Sequence, residues 1–329
     1  MYRLRRVFHP EIFQGKHKTR KNYFEGWYFK CIDLDQKAPL AIIPGVSYQK
    51  DGRDAHAFIQ IMDVAHGQVH YFRFPLSEFH PDEKNFEVRI GDNYFSRTEL
   101  RLNIENEQGS YKGTLRFEKI VPFPRTLASP GIMGPFTFIP WMECYHGIVN
   151  IHHEIQGCLT FNQVEYCYNG GYGYIEKDWG TSFPSAWIWV QSNHFPEENI
   201  SLMFSYANIP WLGRSFMGLI AFLRIGEKLY RFGTYTRAKI DKLGMEEGRL
   251  SIQLSDKHNV LAIQVENGAG GMLKAPKNGL MAEEIRESIS GVVHVSLKKK
   301  SGEVVYEGTG TQTGVEISEG MEEMLGQKN

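Results

Sequence analysis

Tyr28–Asp33 (YFKCID), Ala41–Tyr48 (AIIPGVSY) and Ala57–Val64 (AFIQIMDV) decide the fold class of this chain. Each is short and rich in β-branched or aromatic residues, the composition that suits a pleated, half-buried surface. Asp51-Gly52 lies between the second and third and carries the turn chemistry of a hairpin. Further strand patterns follow at Val69–Phe74, Phe86–Ile90, Leu100–Glu105 and Tyr111–Phe117. Beyond the middle they resume at Cys158–Phe161, Tyr172–Lys177, Ala186–Ser192, Ser201–Ala207, Phe216–Ile225, Lys228–Tyr235, Arg249–Leu254, Leu261–Glu266, Gly291–Lys298 and Val304–Thr309. Only Met281–Ser288 and Glu319–Leu325 read as short helices. A dozen or more short strands with no βαβ alternation predict a mainly β protein built as barrels or sandwiches.

One segment breaks the pattern. Val121–Pro140 carries Pro122, Pro124, Pro130, Pro135 and Pro140 with Gly131 and Gly134. Proline removes ladder donors and restricts φ, so an irregular crossover is expected. At roughly 150 residues per domain, 329 residues suggest two domains. The crossover sets the expected division: 1–140, including 121–140, and 141–329. The similar strand style of the two halves suggests duplication.

Composition excludes several function classes. The formal net charge is −1, so the basic footprint of a nucleic-acid binder is missing. Lys16–Lys21 and Lys298–Lys300 read as solvated faces. No G-x-G-x-x-G, G-x-x-x-x-G-K-[ST] or G-x-S-x-G occurs, so no dinucleotide fold, P-loop or nucleophile elbow is expected, and no cofactor. His152-His153-Glu154 lacks the second His of H-E-x-x-H, and adjacent strand residues point to opposite faces. No metal is expected; the one route to a site is convergence of His146 with His152. The spacing of Cys158 and Cys167 fits neither a zinc knuckle nor a redox pair, and all four cysteines read as reduced. No signal peptide and no apolar run of about 18 residues is visible, so the expected compartment is the cytoplasm, with peripheral membrane contact as an extension. Aromatic residues make up 13% of the chain, enough to line a cavity for an apolar ligand.

Three segments carry candidate chemistry. In Tyr23–Lys30, alternation puts Glu25, Trp27 and Phe29 on one face and Tyr28 and Lys30 on the other. A carboxyl buried beside these rings would have its pKa raised by desolvation. In Gly171–Gly180, Tyr172, Tyr174, Glu176 and Asp178 share a face, and two acids two residues apart favour protonation of one of them. That is the state general acid catalysis needs; the plain alternative is a solvated strand end exposing Lys177 and Asp178. In Ala186–Asn193, Trp187, Trp189, Gln191 and Asn193 share a face. Two indoles followed by two amides suit a ligand with an apolar body and a polar head, or a core face ending at a wet loop. Met142–His146 caps a pocket or anchors a loop.

Taken together these segments resemble the tocopherol cyclase family. The matching pieces are Glu25–Lys30, Met142–Gly147, Gly173–Gly180 and Trp187–Phe195, with weaker likeness around Leu273–Pro276 and Gly291–Leu297. The resemblance runs from about residue 20 to residue 318. It implies two lipocalin-like β-domains with a ligand cavity between them, in a wider group that includes carotenoid hydratases. It also implies cofactor-independent closure of a chroman ring on a prenylated quinol. Plant members often carry Asn at the position of Asp178, which makes Glu176 the better shared acid. Plant enzymes also carry a transit peptide, and no such extension is expected here.

On this reading Glu176 protonates an isoprenoid alkene, with Asp178 and Glu25 as the further candidate carboxylates. Trp27, Trp187, Trp189 and Tyr174 face the resulting cation with their π clouds. Gln191 and Asn193 hold the polar head, and Lys30 balances a carboxylate or binds substrate. Tyr28, Tyr145, His146 and Trp179 complete the expected substrate-binding set. The alternatives are a non-catalytic carrier of a hydrophobic ligand, or an isomerase whose pocket only folds its substrate.

Overall fold

The computed structural model describes residues 2–15, 22–50, 52–211 and 213–326, with the side chains of 2–4 excepted. The Lys16–Lys21 cluster and Asp51 of the expected turn lie outside them. After a short helix, α1 (Tyr2–Val7), twelve strands form one sheet: β1 (Tyr23–Ile32), β2 (Leu40–Tyr48), β3 (His56–Asp63), β4 (Gln68–Phe74), β5 (Phe79–Pro81), β6 (Glu87–Ile90), β7 (Asn93–Ser96), β8 (Glu99–Asn106), β9 (Gly109–Pro122), β10 (Cys144–Phe161), β11 (Val164–Cys167) and β12 (Gly171–Gly180). Their order is β4-β3-β2-β1-β12-β10-β9-β8-β7-β6-β5, with β11 pairing β10 alone. In the middle of this order β12 pairs with β1, antiparallel, with Glu25 opposite Trp179.

Ten strands form the second sheet: β13 (Trp187–Ser192), β14 (Ile200–Trp211), β15 (Arg214–Ile225), β16 (Lys228–Gly233), β17 (Lys239–Glu246), β18 (Arg249–Ser255), β19 (Asn259–Glu266), β20 (Gly270–Lys277), β21 (Leu280–Lys299) and β22 (Val304–Ile317). Their order is β16-β15-β14-β13-β22-β21-β19-β18-β17, with β20 on β21. A helix, α2 (Glu319–Gly326), follows and buries Met321 and Leu325, as the sequence pattern predicts.

Two compact units result: residues 1–183 with 273–284, and residues 184–272 with 285–329. The expected division at 140/141 is therefore corrected. The strands flanking the proline-rich crossover, β9 and β10, pair with each other along most of their length. Long-range pairing, which proline content does not report, sets the boundary. The β20–β21 turn belongs with the first unit for a local reason. Gln60 accepts from the Lys274 backbone N–H at 2.7 Å and donates to its carbonyl, and Ser47 donates to the Gly279 carbonyl at 2.5 Å. Gly279 has φ +81°, and a Cβ there would come within 2.6 Å of the backbone of Tyr23 and Tyr48, so only glycine fits.

Two more expectations are corrected. Met281–Ser288 is strand, not helix: β21 pairs Glu287 with Glu316 and Ser288 with Val315, and this tertiary ladder overrides helix propensity. Cys158 and Cys167 form a disulfide rather than free thiols, because the β10–β11 hairpin sets them directly opposite each other. Cys31 and Cys144 are free.

Alternation builds each core. Trp27, Phe29 and Cys31 of β1 join Ile42 and Val46 of β2, Ile59 and Ile61 of β3 and Ile175 and Trp179 of β12 inside the first unit. Ile188 and Val190 of β13 join Phe204, Leu223, Ile263, Val295 and Val315 inside the second.

Candidate functional site

The chemistry-bearing residues of the first unit lie on β1, β12 and β10, and the sheet sorts them by parity. On the core face stand Glu25 opposite Trp179 and Trp27 opposite Lys177. On the other face stand Tyr28 opposite Glu176, Lys30 opposite Tyr174, and His146 opposite Asp178.

The core face holds a fixed ion pair. Glu25 is fully buried. It accepts from the Tyr23 phenol at 2.5 Å and from the Gln14 backbone N–H at 2.8 Å, and it pairs with the Lys177 ammonium. Lys177, also fully buried, donates to the carbonyls of Pro10 and Ile12 and lies 4.6 Å above the Trp27 ring and 5.0 Å from that of Trp179. Burial brings the ammonium down to about 8, against the opposing pull of Glu25. The N-terminal segment is drawn in by the same groups. The Trp27 indole donates to the Glu11 carbonyl, and the Glu11 carboxylate binds Arg97 and Arg125. Burial raises the Glu11 pKa, but the His9 hydrogen bond and these two guanidinium groups overcome it and bring the pKa to about 2.

This geometry corrects part of the sequence reading. Lys177 is not an exposed strand-end residue. Glu25, Trp27 and Trp179 sit in the packed interior of the first unit, and the Trp27 face meets Lys177. Tyr145 stacks on Trp179 with ring centroids 5.5 Å apart, and its hydroxyl donates to the Ile139 carbonyl, so it anchors the crossover. Glu25 and Glu176 share a sheet but not a site.

The opposite face brings Tyr174, Glu176, Asp178 and His146 together. Tyr174 donates to Glu176 Oε2 at 2.5 Å. His146 Nε2 lies 3.4 Å from the same oxygen, and its Nδ1 lies 2.8 Å from Asp178 Oδ1. The result is a chain of four groups, Tyr174–Glu176–His146–Asp178. Glu176 is 5% exposed and Tyr174 fully buried. Burial and the Glu176 carboxylate push the Tyr174 phenol well above the ordinary range, so it remains a neutral donor. The His146 backbone N–H donates to Met133 Sδ at 3.2 Å, which ties the crossover to this site. Burial, with Asp178 and Glu143 close by, also raises the Cys144 thiol well above its usual value, so no thiolate nucleophile forms here.

Alternation within β12 placed Glu176 and Asp178 together, but the histidine between them comes from 32 residues upstream. The convergence of His146 with His152, the one route to a metal site open in the sequence, is not what the fold makes: His146 meets Glu176 and Asp178 instead. His152 packs its ring on Tyr172, at 4.7 Å, while His153 is buried against Phe117. The ligand atoms of His146, Glu176 and Asp178 lie within 4.8 Å of one another, so this set could also take a metal ion.

In the second unit, Trp187, Trp189 and Gln191 occupy the face of β13 opposite its core residues, and Asn193 follows the end of the strand, all buried. The Trp187 indole donates to Glu316 Oε2 at 2.9 Å, and Gln191 donates to Asn193 at 3.4 Å. A Cβ on Gly314 would meet the Trp189 ring at 2.5 Å, so glycine lets that indole lie flat on β22. Glu316 and its cross-strand partner Glu287, fully buried, were missed by the sequence reading. Period-two alternation through Val304–Ile317 was the available signal for Glu316. The false helix over Met281–Ser288 hid Glu287.

Solved structures share this architecture. The chain superposes on CghA in its complex with Sch210972 with a TM-score of 0.58 and 13% identity, covering 91% of this chain and 89% of that one. CghA in a second structure gives 0.56 and 13%, over 90% and 88%. A putative AttH from Nitrosomonas europaea gives 0.53 and 13%, over 92% and 94%. At this identity the likeness establishes the fold, mainly β and lipocalin-like. No curated protein matches the chain by sequence. The family model described as "Tocopherol cyclase-like" matches residues 121–319, a stretch that contains β10, β12, β13 and every member of the Tyr174–Glu176–His146–Asp178 chain, and the protein belongs to that family.

Proposed function

We propose that the protein is a cofactor-independent, acid-initiated cyclase or hydratase acting on an isoprenoid alkene such as a prenylated quinol. One observation carries the reading: a nearly buried carboxyl, Glu176, held between a phenol and an imidazole whose far nitrogen meets a second carboxylate. A carboxylic acid in such a site can donate a proton where water is scarce.

In the proposed step the Glu176 proton adds to the alkene, leaving a tertiary carbocation and the Glu176 carboxylate. The phenol oxygen of the substrate attacks the cation and gives its proton to His146 Nε2, leaving an isomer; if water attacks instead, it gives up its proton in the same way and the product gains one water. His146 then passes that proton from Nε2 to the Glu176 carboxylate, with Asp178 holding Nδ1 and thereby the ring orientation. Tyr174 stabilises the carboxylate left after donation. Lys30 and Tyr28, on the same face, are assigned to substrate binding, while Glu25, Trp27, Tyr145 and Trp179 are assigned to the scaffold.

Family membership supports the reaction class, and a structure of this fold in complex with a compound, CghA with Sch210972, is in keeping with small-molecule binding. No helix among the described residues is long and apolar enough to cross a membrane. We assign the protein to the cytoplasm with peripheral membrane contact, which fractionation would check.

The test is incubation of a prenylated quinol with the wild type and with Glu176→Gln, in water and in D2O, read by mass spectrometry. An isomeric or hydrated product carrying solvent deuterium, made by the wild type alone, is expected. Ligand bound and released unchanged by both proteins would replace this reading with a carrier.

A further inference from the structure

A second cluster of chemically active groups lies away from the acid site, on the β10–β11 hairpin. Cys158 and Cys167 are directly opposite in the ladder, with Cα atoms 4.1 Å apart. Glu165 precedes Cys167 by two residues and so shares its face. The two sulfurs and the Glu165 carboxylate lie within 4.8 Å of one another. Glu165 and Cys167 are exposed, and β11 has β10 as its one strand neighbour. Both a reductant and an ion can reach the group.

The hairpin does not depend on the disulfide to keep its shape. Leu159–Tyr166 and Phe161–Val164 continue the ladder toward the turn, and on the other side the Tyr168 N–H donates to the Gly157 carbonyl at 2.9 Å. The Tyr166 ring stacks on Phe161 at 5.2 Å, its hydroxyl bonds His66 Nε2 at 2.8 Å, and His66 Nδ1 bonds Asp63 at 2.6 Å. The Asn162 carboxamide caps the turn by accepting from the Ser110 N–H. Reduction would therefore leave both sulfurs facing each other beside a carboxylate.

We propose that this hairpin is a redox-gated metal site, at which the reduced Cys158 and Cys167 together with Glu165 bind a zinc-class divalent cation. Two thiolates and a carboxylate are a zinc donor set, with a fourth position left for water. The chemistry balances in two steps. A small dithiol reduces the Cys158–Cys167 bond by thiol–disulfide exchange, ending as its own cyclic disulfide and leaving two thiols on the protein. The cation then displaces one proton from each thiol. Oxidation of the pair by a disulfide reverses both steps and ejects the ion. In a reducing compartment the hairpin carries metal; in an oxidising one it carries the cross-link. The inference is independent of the function assigned to Glu176.

The experiment compares zinc bound by the intact chain in three forms: oxidised, reduced by dithiothreitol and desalted without oxygen, and reduced Cys158→Ser/Cys167→Ser. Zinc is counted by native mass spectrometry and by competition with a chromogenic chelator, and free thiols are counted in each sample. Reduced wild type should hold one more zinc than the other two, since binding at His146–Glu176–Asp178 or Cys144 would be common to all three. Glu165→Gln should weaken that extra zinc by roughly tenfold or more, with an unchanged β-sheet circular dichroism spectrum. Equal zinc in all three forms, or none gained by wild type with both thiols demonstrably free, overturns the proposal.

Discussion

Glu25 and Glu176 stand on opposite faces of one sheet with one partner of the same kind, a tyrosine phenol, and they differ in the groups that complete their surroundings: the Gln14 backbone N–H and Lys177 at Glu25, His146 at Glu176. Each sits two residues after a tyrosine on its own strand, and each accepts that phenol at 2.5 Å. Glu25 has the buried ammonium of Lys177 as its third partner, while Glu176 has the His146 imidazole. A lysine held by two backbone carbonyls and a carboxylate is a cation fixed in position. An imidazole between two carboxylates presents one ring nitrogen to each and can relay a proton between them. The same Tyr-x-Glu pattern thus makes a structural clamp on one face and a candidate acid on the other.

The comparison breaks most visibly at Glu176. Glu176→Gln should keep the fold and lower turnover by about 10³-fold, within the range for loss of a general acid; product formation against time measures it. If Glu25→Gln did the same with stability intact, the two roles would have to be exchanged. Next in size, Glu25→Ala should destabilise the protein by about 3–5 kcal/mol, because it strands the Lys177 charge in the core. The double change Glu25→Gln/Lys177→Met should recover much of that loss in urea denaturation. A double variant no better than the single one would show that the packing of Tyr23 and Gln14, rather than the charge, is what Glu25 maintains.

Asp178→Asn should lower turnover by roughly 10–100-fold through loss of His146 orientation. Unchanged turnover would remove Asp178 from the positioning of His146. The smallest effect concerns Lys177. Its folded pKa of about 8 lies below the ordinary 10.5. Below pH 8 both folded and unfolded chains hold the proton, so burial of the charge costs stability there. Between about 8 and 10.5 the unfolded chain holds a proton that the folded chain has released, so stability contributed by this group rises with pH. The wild type should therefore show a more positive stability slope over that window than Glu25→Gln/Lys177→Met; equal slopes would mean that Lys177 titrates at its ordinary value.

Much of this was readable in the residues. Strand alternation put Glu25 with Trp27 and Phe29, and Tyr174 with Glu176 and Asp178, because successive side chains on a strand point to opposite faces whatever the strand packs against. Composition and turn residues were enough for an all-β architecture, and the order of short motifs was enough for the family. The core side of β1 and β12 was not readable, since both faces of both strands are buried and neither shows the apolar–polar contrast that identifies a solvent face.

Pairings between distant segments lay equally out of reach of local pattern. Trp179 meets Glu25 across more than 150 residues of chain, and these contacts, not the prolines of 121–140, divide the units. Helix propensity in Met281–Ser288 gave way to a ladder with β22, and Cys158 met Cys167 only once a hairpin had turned between them. The sequence by itself determined which side chains travel together along each strand, a property of local backbone geometry. Only the tertiary structure decided which strand stands beside which. That choice supplied Lys177 to one carboxylate and His146 to the other, and so separated a clamp from the proposed proton donor.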